Sequence, residues 1–132
     1  MVLVDGAGTP LGAYLASANK SEMKLVEQTL AATPGKPERL VADRGYDSNA
    51  VRVMLLKEKI DPIIPARSNN TVAICQDGRK LRRYRNRWIV ERTFAWLGWF
   101  RRLVVRWDRL MSTYGGFFHL ACAMVVLKRV LK

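Results

Sequence analysis

Residues 40 to 64 read LVADRGYDSNAVRVMLLKEKIDPII, and this stretch decides the fold. The apolar run Leu40–Ala42 predicts a short buried strand. Asp47 or Ser48 then caps a helix that continues to about Lys59, and Ile60–Pro65 predicts a second short strand. The order strand, helix, strand predicts two parallel strands joined by a helical crossover, and therefore an α/β fold.

The sequence on either side supplies a hairpin and more helices. Val2–Val4 and Leu11–Ala16 flank a turn rich in glycine, which predicts a β-hairpin. Ser21 begins a helix that extends to about Ala32. After the strand–helix–strand unit we expect a polar loop over 66–83, a long helix from about Arg82 to Arg102, an ambiguous segment over 104–111 and a last, buried helix over about Tyr114–Leu131.

The positive charge of the chain lies in its second half. The net charge is +12, but residues 1–65 carry eight basic and eight acidic side chains, whereas residues 66–132 carry fifteen and three. Eleven of those basic residues lie between Arg79 and Arg109, where the acidic residues are Glu91 and Asp108. This asymmetry favours a surface that binds nucleic acid. RNA and an anionic membrane surface are rival partners that charge alone does not separate from DNA.

Cysteine content and hydropathy predict a cytoplasmic chain without a membrane segment. Cys75 and Cys122 form no disulfide framework and are expected to be reduced thiols. The apolar run Phe117–Leu127 is too short to span a bilayer and predicts a buried helix in which His119 packs in the core. Neither His119 nor the cysteines form a zinc-binding pattern.

Two acidic residues are candidates for a functional site. Asp43 follows the end of a buried strand, where open α/β sheets place ligand-binding groups, although it could also be a loop acid that caps the next helix or pairs with Arg44. Helix geometry places Tyr84, Arg87 and Glu91 on one face. A solvated Arg87–Glu91 ion pair is the alternative for that face.

The same residues resemble motifs of the bacterial insertion-sequence transposases of the DDE class. Tyr84, Arg87 and Glu91 have the family's Tyr-x₂-Arg-x₃-Glu spacing, and residues 41–48, VADRGYDS, resemble its second-aspartate block. Residues 90–97, VERTFAWL, followed by two arginines at 101 and 102, resemble its glutamate block, and residues 106–109, RWDR, resemble the basic aromatic segment after it. Residues 3–11 resemble the hairpin that precedes the second aspartate, so the resemblance covers nearly the whole chain in order.

The resemblance implies a metal-dependent DNA recombinase. Family members have an RNase H-like fold, a mixed sheet with flanking helices, in which three carboxylates hold two Mg²⁺ or Mn²⁺ ions. By motif match, Asp43 is the second carboxylate and Glu91 is the third. The implied function is DNA transposition by metal-dependent strand cleavage and transfer, with transposon ends and target DNA as partners and the bacterial nucleoid as location.

The first carboxylate of the family lies upstream of the hairpin and is not in this sequence. Asp5 is a poor substitute, because Gly6 and Gly8 beside it indicate a turn residue. Residues 1–132 are therefore expected to be one partial RNase H-like domain that lacks its first strand, has a helical C-terminus and needs the upstream portion of the transposase as a partner. We expect such a chain alone to be poorly stable and to have negligible strand-transfer activity.

The expected DNA contacts are mostly to the phosphate backbone. Trp88 and Trp99 are candidates for stacking on an unpaired base, and Trp96 is expected in the core. The sequence leaves open whether the polypeptide alone is an enzyme, and the alternative is a non-catalytic DNA-binding remnant or regulator that competes for transposon ends. The expected DNA-binding residues are Arg44, Arg82, Arg83, Tyr84, Arg85, Arg87, Arg92, Arg101, Arg102 and Arg106.

Overall fold

The strands of the protein form two small sheets. In the computed structural model, residues 1–17, 19–68 and 78–131 are described. Strands β1 (Val2–Val4) and β2 (Pro10–Ala13) form an antiparallel hairpin, and β3 (Arg39–Val41) and β4 (Asp61–Ile63) pair in parallel. The hairpin and the parallel pair both confirm the sequence-based predictions, with slightly different strand ends.

The single mixed sheet that the sequence predicts is not formed by the described residues. They contain two separate two-stranded sheets, because no described strand pairs with both β1 and β3. Each strand therefore has one strand partner within the described part of the chain and one edge without a strand partner there. The two sheets nevertheless share a core, since Leu3 of β1 packs against the cluster that contains Leu40 of β3.

Two short helices cover this first core. Helix α1 (Val26–Ala31) follows a 3₁₀ turn at Glu22–Leu25, and α2 (Asn49–Lys57) is the predicted crossover between β3 and β4. Ser48 occupies the N-cap position of α2, but its side chain makes no capping hydrogen bond. The chain leaves α2 through Lys59, whose φ of 60° ends the helix. The buried members of the core are Val26, Leu40, Val51, Leu55, Ile60 and Ile64.

The long helix predicted over 82–102 is wrong as a single element. A short helix α3 (Gly78–Leu81) begins inside the predicted loop, whose residues 69–77 lie outside the described residues. A 3₁₀ segment (Arg82–Arg87) follows, then α4 (Trp88–Leu97) and a separate short α5 (Arg101–Val104). Like charges repel one another in the arginine-rich first turns, and Gly98 is a weak helix former at the break after α4.

The last helix packs on the hairpin and on α4, but only through one face. Helix α6 (Met111–Val130) buries Phe118, Ala121, Cys122 and Val125 against Leu97 and partly buried residues of the hairpin. The prediction of a wholly buried helix is therefore wrong, because the opposite side of α6 is exposed.

The single histidine and Cys122 also lie on this helix. His119 is exposed rather than packed in the core and meets the Phe118 ring edge-on at 5.9 Å, so its predicted core role is wrong. Cys122 is a free thiol, and burial raises its pKa. Cys75 lies outside the described residues. No helix among the described residues has the length and apolarity needed to cross a membrane.

Candidate functional site

Asp43 lies two residues beyond the end of β3 and shapes the turn that follows. Its Oδ1 accepts a hydrogen bond of 2.7 Å from the N–H of Gly45, which begins the 3₁₀ turn Arg44–Tyr46. A side chain at position 45 would place a Cβ 2.7 Å from that same oxygen, so the Asp43 carboxylate would have to move. Asp43 is thus a capping residue, as one of the sequence-based alternatives holds. Its second carboxylate oxygen, Oδ2, takes no part in the cap.

A set of long-range contacts that the sequence did not indicate fixes this turn. Arg67 donates from Nε to the carbonyl oxygen of Arg44 at 2.6 Å and from Nη2 to that of Gly45 at 2.9 Å. The backbone N–H of Arg67 donates to Asp47, whose buried carboxylate also pairs with Arg52 at 2.8 Å. The backbone beside Asp43 is therefore held from the strand end of β4 and from α2.

Glu91 lies on a different element from Asp43, but both carboxylates are close to Arg87. It lies in the first turn of α4, and its Oε1 is 2.8 Å from Nη2 of Arg87. The other terminal nitrogen of Arg87, Nη1, lies 3.8 Å from Oδ2 of Asp43. One guanidinium therefore lies between the two carboxylates, which are 48 residues apart in sequence. The Tyr84 ring is also on this side, with its centroid 6.0 Å from the Arg87 guanidinium carbon.

The contacts of Arg87 are weak enough to be exchanged. The side chains of Asp43, Arg87 and Glu91 are 42%, 43% and 57% exposed, and ion pairs this open contribute at most about 1 kcal/mol each. The carboxylate oxygens are the hard ligands that Mg²⁺ and Mn²⁺ prefer, and they already converge on one cation. These two carboxylates are only part of a site for a divalent ion. Within the described ranges, no group of three His, Cys, Asp or Glu residues could hold a metal.

The helix that carries Glu91 is fastened to the turn of the hairpin. The hydroxyl of Thr93 donates a buried hydrogen bond of 2.7 Å to the carbonyl oxygen of Gly8. Gly8 has a φ of +84°, and a Cβ there would lie 3.0 Å from the Thr93 hydroxyl. Only glycine suits both the backbone conformation and the close approach at this position.

Asp5 belongs to that turn and not to the candidate site. Its Oδ1 accepts hydrogen bonds from the N–H groups of Ala7 at 2.8 Å and Thr9 at 2.7 Å. Burial alone would raise the pKa of Asp5, but the bonds from Thr9 and Ala7 and the charge of Arg129 outweigh it and lower that pKa. The structure confirms that Asp5 is a turn residue.

Arg92, one of the expected DNA contacts, is partly buried and packs against two tryptophans. Its guanidinium lies between the rings of Trp88 and Trp96, 4.7 and 4.9 Å from their centroids, and donates to the carbonyl oxygen of Ala7. The guanidinium of Arg129 in α6 also lies over the Trp96 ring, 5.0 Å from its centroid, and it too donates to the carbonyl oxygen of Ala7. We call Trp88, Arg92, Trp96 and Arg129 the arginine–tryptophan stack, and nothing in the local sequence pattern pointed to it.

The remaining basic residues divide into two groups. A first group lines an open cavity of about 460 Å³ together with Asn86; its members are Arg79, Lys80, Arg82, Arg83 and Arg85. Lys80 ties this surface to the start of β4 through an ion pair of 2.9 Å with Asp61. Arg44 is exposed beside Asp43.

The second group of basic residues contacts α6 and the segment before it. Arg102 lies over the Phe117 ring at 4.6 Å and pairs with Asp108 at 3.4 Å. Arg106 lies over the Tyr114 ring at 5.5 Å and donates to a backbone carbonyl oxygen. These two arginines and Arg101 are thus on the α5–α6 side of the chain, and no contact in the described residues joins them to Asp43 or Glu91.

Comparison with known proteins identifies the family. Residues 1–126 match the family model described as "Transposase DDE domain". The chain belongs to the DDE transposase domain family. The resemblance of the sequence to this family is thereby confirmed.

Relatives of this DDE domain are named as transposases of insertion sequences. The chain is 35% identical over 134 residues to a provisionally assigned transposase for insertion sequence element IS402 of Burkholderia cepacia; the match covers 94% of the chain and 60% of that relative. It is 27% identical over 127 residues to one for IS6501 of Brucella ovis, with 96% and 95% covered. The DDE domain thus spans about 60% of the length of the first relative. No solved structure matches it.

Proposed function

We propose that this chain supplies two metal-binding carboxylates, Asp43 and Glu91, to a DNA transposase of the RNase H-like type. The observation that supports the proposal is the shared guanidinium of Arg87. Its two terminal nitrogens lie 2.8 Å from Glu91 and 3.8 Å from Asp43, so both acids face one cation. Residues that the family motif matches at distant positions in the sequence therefore meet in space.

The residues of the site have distinct roles in this proposal. Asp43 and Glu91 would hold the divalent ion, and the N–H of Gly45 keeps Asp43 oriented by binding its other oxygen. A bound ion supplies Lewis-acid stabilisation of the charge on a phosphodiester oxygen. Arg87 and Tyr84, on the same side, would contact the DNA phosphate next to the reacting group.

The basic cavity gives the DNA a path to the carboxylates. Arg82, Arg83 and Arg85 belong to the 3₁₀ segment that leads directly into α4, and so they precede Glu91 by two to three turns. Phosphate contacts by these side chains would position a duplex without reading its sequence. The proposed partners are transposon ends, target DNA and the part of the transposase that the longer relative has beyond this chain, and the proposed location is the bacterial nucleoid.

Mn²⁺ binding tests the site directly. Electron paramagnetic resonance of Mn²⁺ titrated into the wild-type chain is expected to show binding that Asp43→Asn and Glu91→Gln each weaken at least tenfold. Glu38→Gln is the matched control, because the Glu38 side chain is 86% exposed and lies elsewhere. Equal Mn²⁺ affinity in all four proteins would contradict the proposal.

A second candidate function is DNA binding without catalysis. It is favoured by the absence, within the described residues, of a third acidic ligand next to Asp43 and Glu91. Supercoiled-plasmid nicking with Mn²⁺ separates the two candidates. Nicking that Asp43→Asn and Glu91→Gln abolish, while DNA affinity is kept, supports catalysis; DNA binding with no nicking in any protein supports the second candidate.

A further inference from the structure

Arg67 is an exposed arginine whose guanidinium is turned onto the backbone beside Asp43. Its Nε lies 2.6 Å from the carbonyl oxygen of Arg44, and its Nη2 lies 2.9 Å from that of Gly45. Hydrogen bonds from a charged donor are stronger than those between neutral groups, and the planar fork of arginine suits two adjacent acceptors. Two donor groups of Arg67 are therefore engaged with the protein itself.

A single peptide group connects Arg67 to the Asp43 carboxylate. This group joins residues 44 and 45; its carbonyl oxygen accepts from Arg67, and its N–H donates to Oδ1 of Asp43 at 2.7 Å. A trans peptide group is planar, with its C=O and N–H pointing in opposite directions, so a donor that fixes the oxygen also fixes the direction of the N–H. The guanidinium charge also polarises the group and strengthens the bond that it donates. Arg67 therefore acts on Asp43 through this peptide group.

The backbone of Arg67 is anchored to a buried ion pair. Its N–H donates at 2.7 Å to Oδ2 of Asp47, a residue that is only 8% exposed. The Oδ1 of Asp47 accepts from Nε and Nη2 of the buried Arg52, at 3.0 and 2.8 Å. Arg52 also donates to the carbonyl oxygen of Ile64, just after β4. The guanidinium of Arg67 therefore reaches the turn from a fixed backbone.

Tyr46, the last residue of the turn, is held by a different side chain. Its ring packs against the first core, and its hydroxyl donates to Oε2 of Glu22 at 2.7 Å. Burial and the Glu22 carboxylate raise the pKa of Tyr46, so the hydroxyl remains a donor at neutral pH. The turn thus has two side-chain anchors, and Arg67 is the one that bonds the peptide group next to Asp43.

We propose that Arg67 is a positioning residue for the metal ligand Asp43. The inference rests on the proposed function, because it requires that Asp43 holds a divalent ion. Arg67 orients the N–H that holds Oδ1, so that Oδ2 stays on the side of Arg87 and Glu91. Loss of a group that orients a metal ligand typically lowers metal affinity by about 10- to 100-fold. Because Arg67 acts through the backbone, we expect the lower end of that range.

The sign of the effect separates positioning from charge. Arg67 is a positive charge near a proposed cation site, so its removal would by electrostatics alone raise the affinity for Mn²⁺. Loss of positioning lowers that affinity instead. Arg44→Gln is the matched control, because it removes the same charge from the turn but leaves the carbonyl oxygen of residue 44 in place for Arg67.

Electron paramagnetic resonance of Mn²⁺ titrated into the full chain tests the proposal. Arg67→Gln is expected to weaken Mn²⁺ binding about tenfold, whereas Arg44→Gln should not weaken it. Unchanged or tighter binding in Arg67→Gln, or an equal weakening by Arg44→Gln, would overturn the proposal.

A double-mutant cycle shows whether Arg67 acts through Asp43. In an Asp43→Asn background, Arg67→Gln is expected to cause no further loss of Mn²⁺ affinity, whereas in a Glu91→Gln background it should still cause the full loss. A general loss of structure would weaken binding equally in both backgrounds and would overturn the proposal. If Asp43→Asn itself leaves Mn²⁺ binding unchanged, the proposed function fails and this inference fails with it. If Asp43→Asn weakens binding and Arg67→Gln does not, only this inference fails.

Discussion

Thr93 joins the helix of Glu91 to the hairpin turn through one buried hydrogen bond. Its side chain is 1% exposed, and the carbonyl oxygen of Gly8 accepts from it at 2.7 Å. The sequence shows Thr93 only as a polar residue on the apolar side of a predicted helix. Its partner lies 85 residues earlier in the chain, which is why local patterns do not reveal the contact.

Replacing Thr93 by valine keeps the shape and removes the donor. We expect Thr93→Val to lower the free energy of unfolding by about 1–3 kcal/mol, because a buried carbonyl oxygen loses its partner. Thr93→Ser is the control and should cost only about 1 kcal/mol, since it keeps the hydroxyl and loses one methyl group. Urea unfolding followed by tryptophan fluorescence measures both, and a larger loss in the serine variant would contradict the assignment.

The carboxylate of Asp5 makes stability depend on pH in a defined direction. Its pKa is lower in the folded chain than its ordinary value of 3.8, so its stabilising effect is present above that value and is lost as the pH falls through the lowered pKa. Asp5→Asn keeps an acceptor oxygen and cannot ionise. The wild type should therefore be more stable than Asp5→Asn near pH 6, and the difference should shrink as the pH falls through the lowered pKa of Asp5. Urea midpoints across this range are the measurement, and a difference that does not change with pH would be the contrary result.

At the scale of elements, local signals predicted the hairpin and the strand–helix–strand unit. Both depend on the turn and strand preferences of residues that are close together in the sequence. The break between α4 and α5 was missed, because Gly98 is only one weak helix former in a long periodic pattern. For the site, the spacing of Arg87 and Glu91 predicted their ion pair, whereas the reach of Arg87 to Asp43 depends on tertiary packing.

The arginine–tryptophan stack connects α4, α6 and the hairpin turn. The Trp96 ring contacts two cations: the guanidinium carbons of Arg92 and Arg129 lie 4.9 and 5.0 Å from its centroid. The sequence-based expectation of core packing for Trp96 is met in part, since it packs against the buried cluster of Leu97 and the α6 residues while its ring also contacts the two arginines. Trp96 and its two arginines therefore link α4, which carries Glu91, to α6 and to the hairpin turn.

Trp96→Leu should destabilise the packing of α4 against α6 and the hairpin turn. We expect a loss of roughly 2 kcal/mol in unfolding free energy, because two partly desolvated cation–π contacts disappear. Trp99→Leu is the matched control on the next turn; Trp99 is 85% exposed, and its replacement should change stability by less than about 0.5 kcal/mol. Thermal unfolding followed by circular dichroism distinguishes the two, and equal destabilisation by both would refute the role of the stack.

At the scale of the whole molecule, the two halves of the chain differ in charge and in exposed apolar surface. The first half is neutral and forms the first core, whereas the basic cavity and the exposed apolar face of α6 both belong to the second half. The charge difference between the halves could be read from the sequence, because most charged side chains stay at the surface of a folded chain. The exposed face of α6 could not be read in this way, since an apolar helix does not reveal which of its faces a neighbour covers.

Salt dependence of DNA binding tests whether the basic cavity contacts phosphates. Each lost phosphate contact reduces the slope of log K against log salt by about 0.9, so the double variant Arg83→Gln, Arg85→Gln should reduce it by about 1.8 on any duplex sequence. The control, Lys24→Gln with Lys57→Gln, removes two exposed cations from the neutral half and should leave the slope nearly unchanged. Fluorescence anisotropy between 50 and about 200 mM salt measures it. If both pairs changed the slope equally, the binding would follow net charge alone, and the basic cavity would have no special part in it.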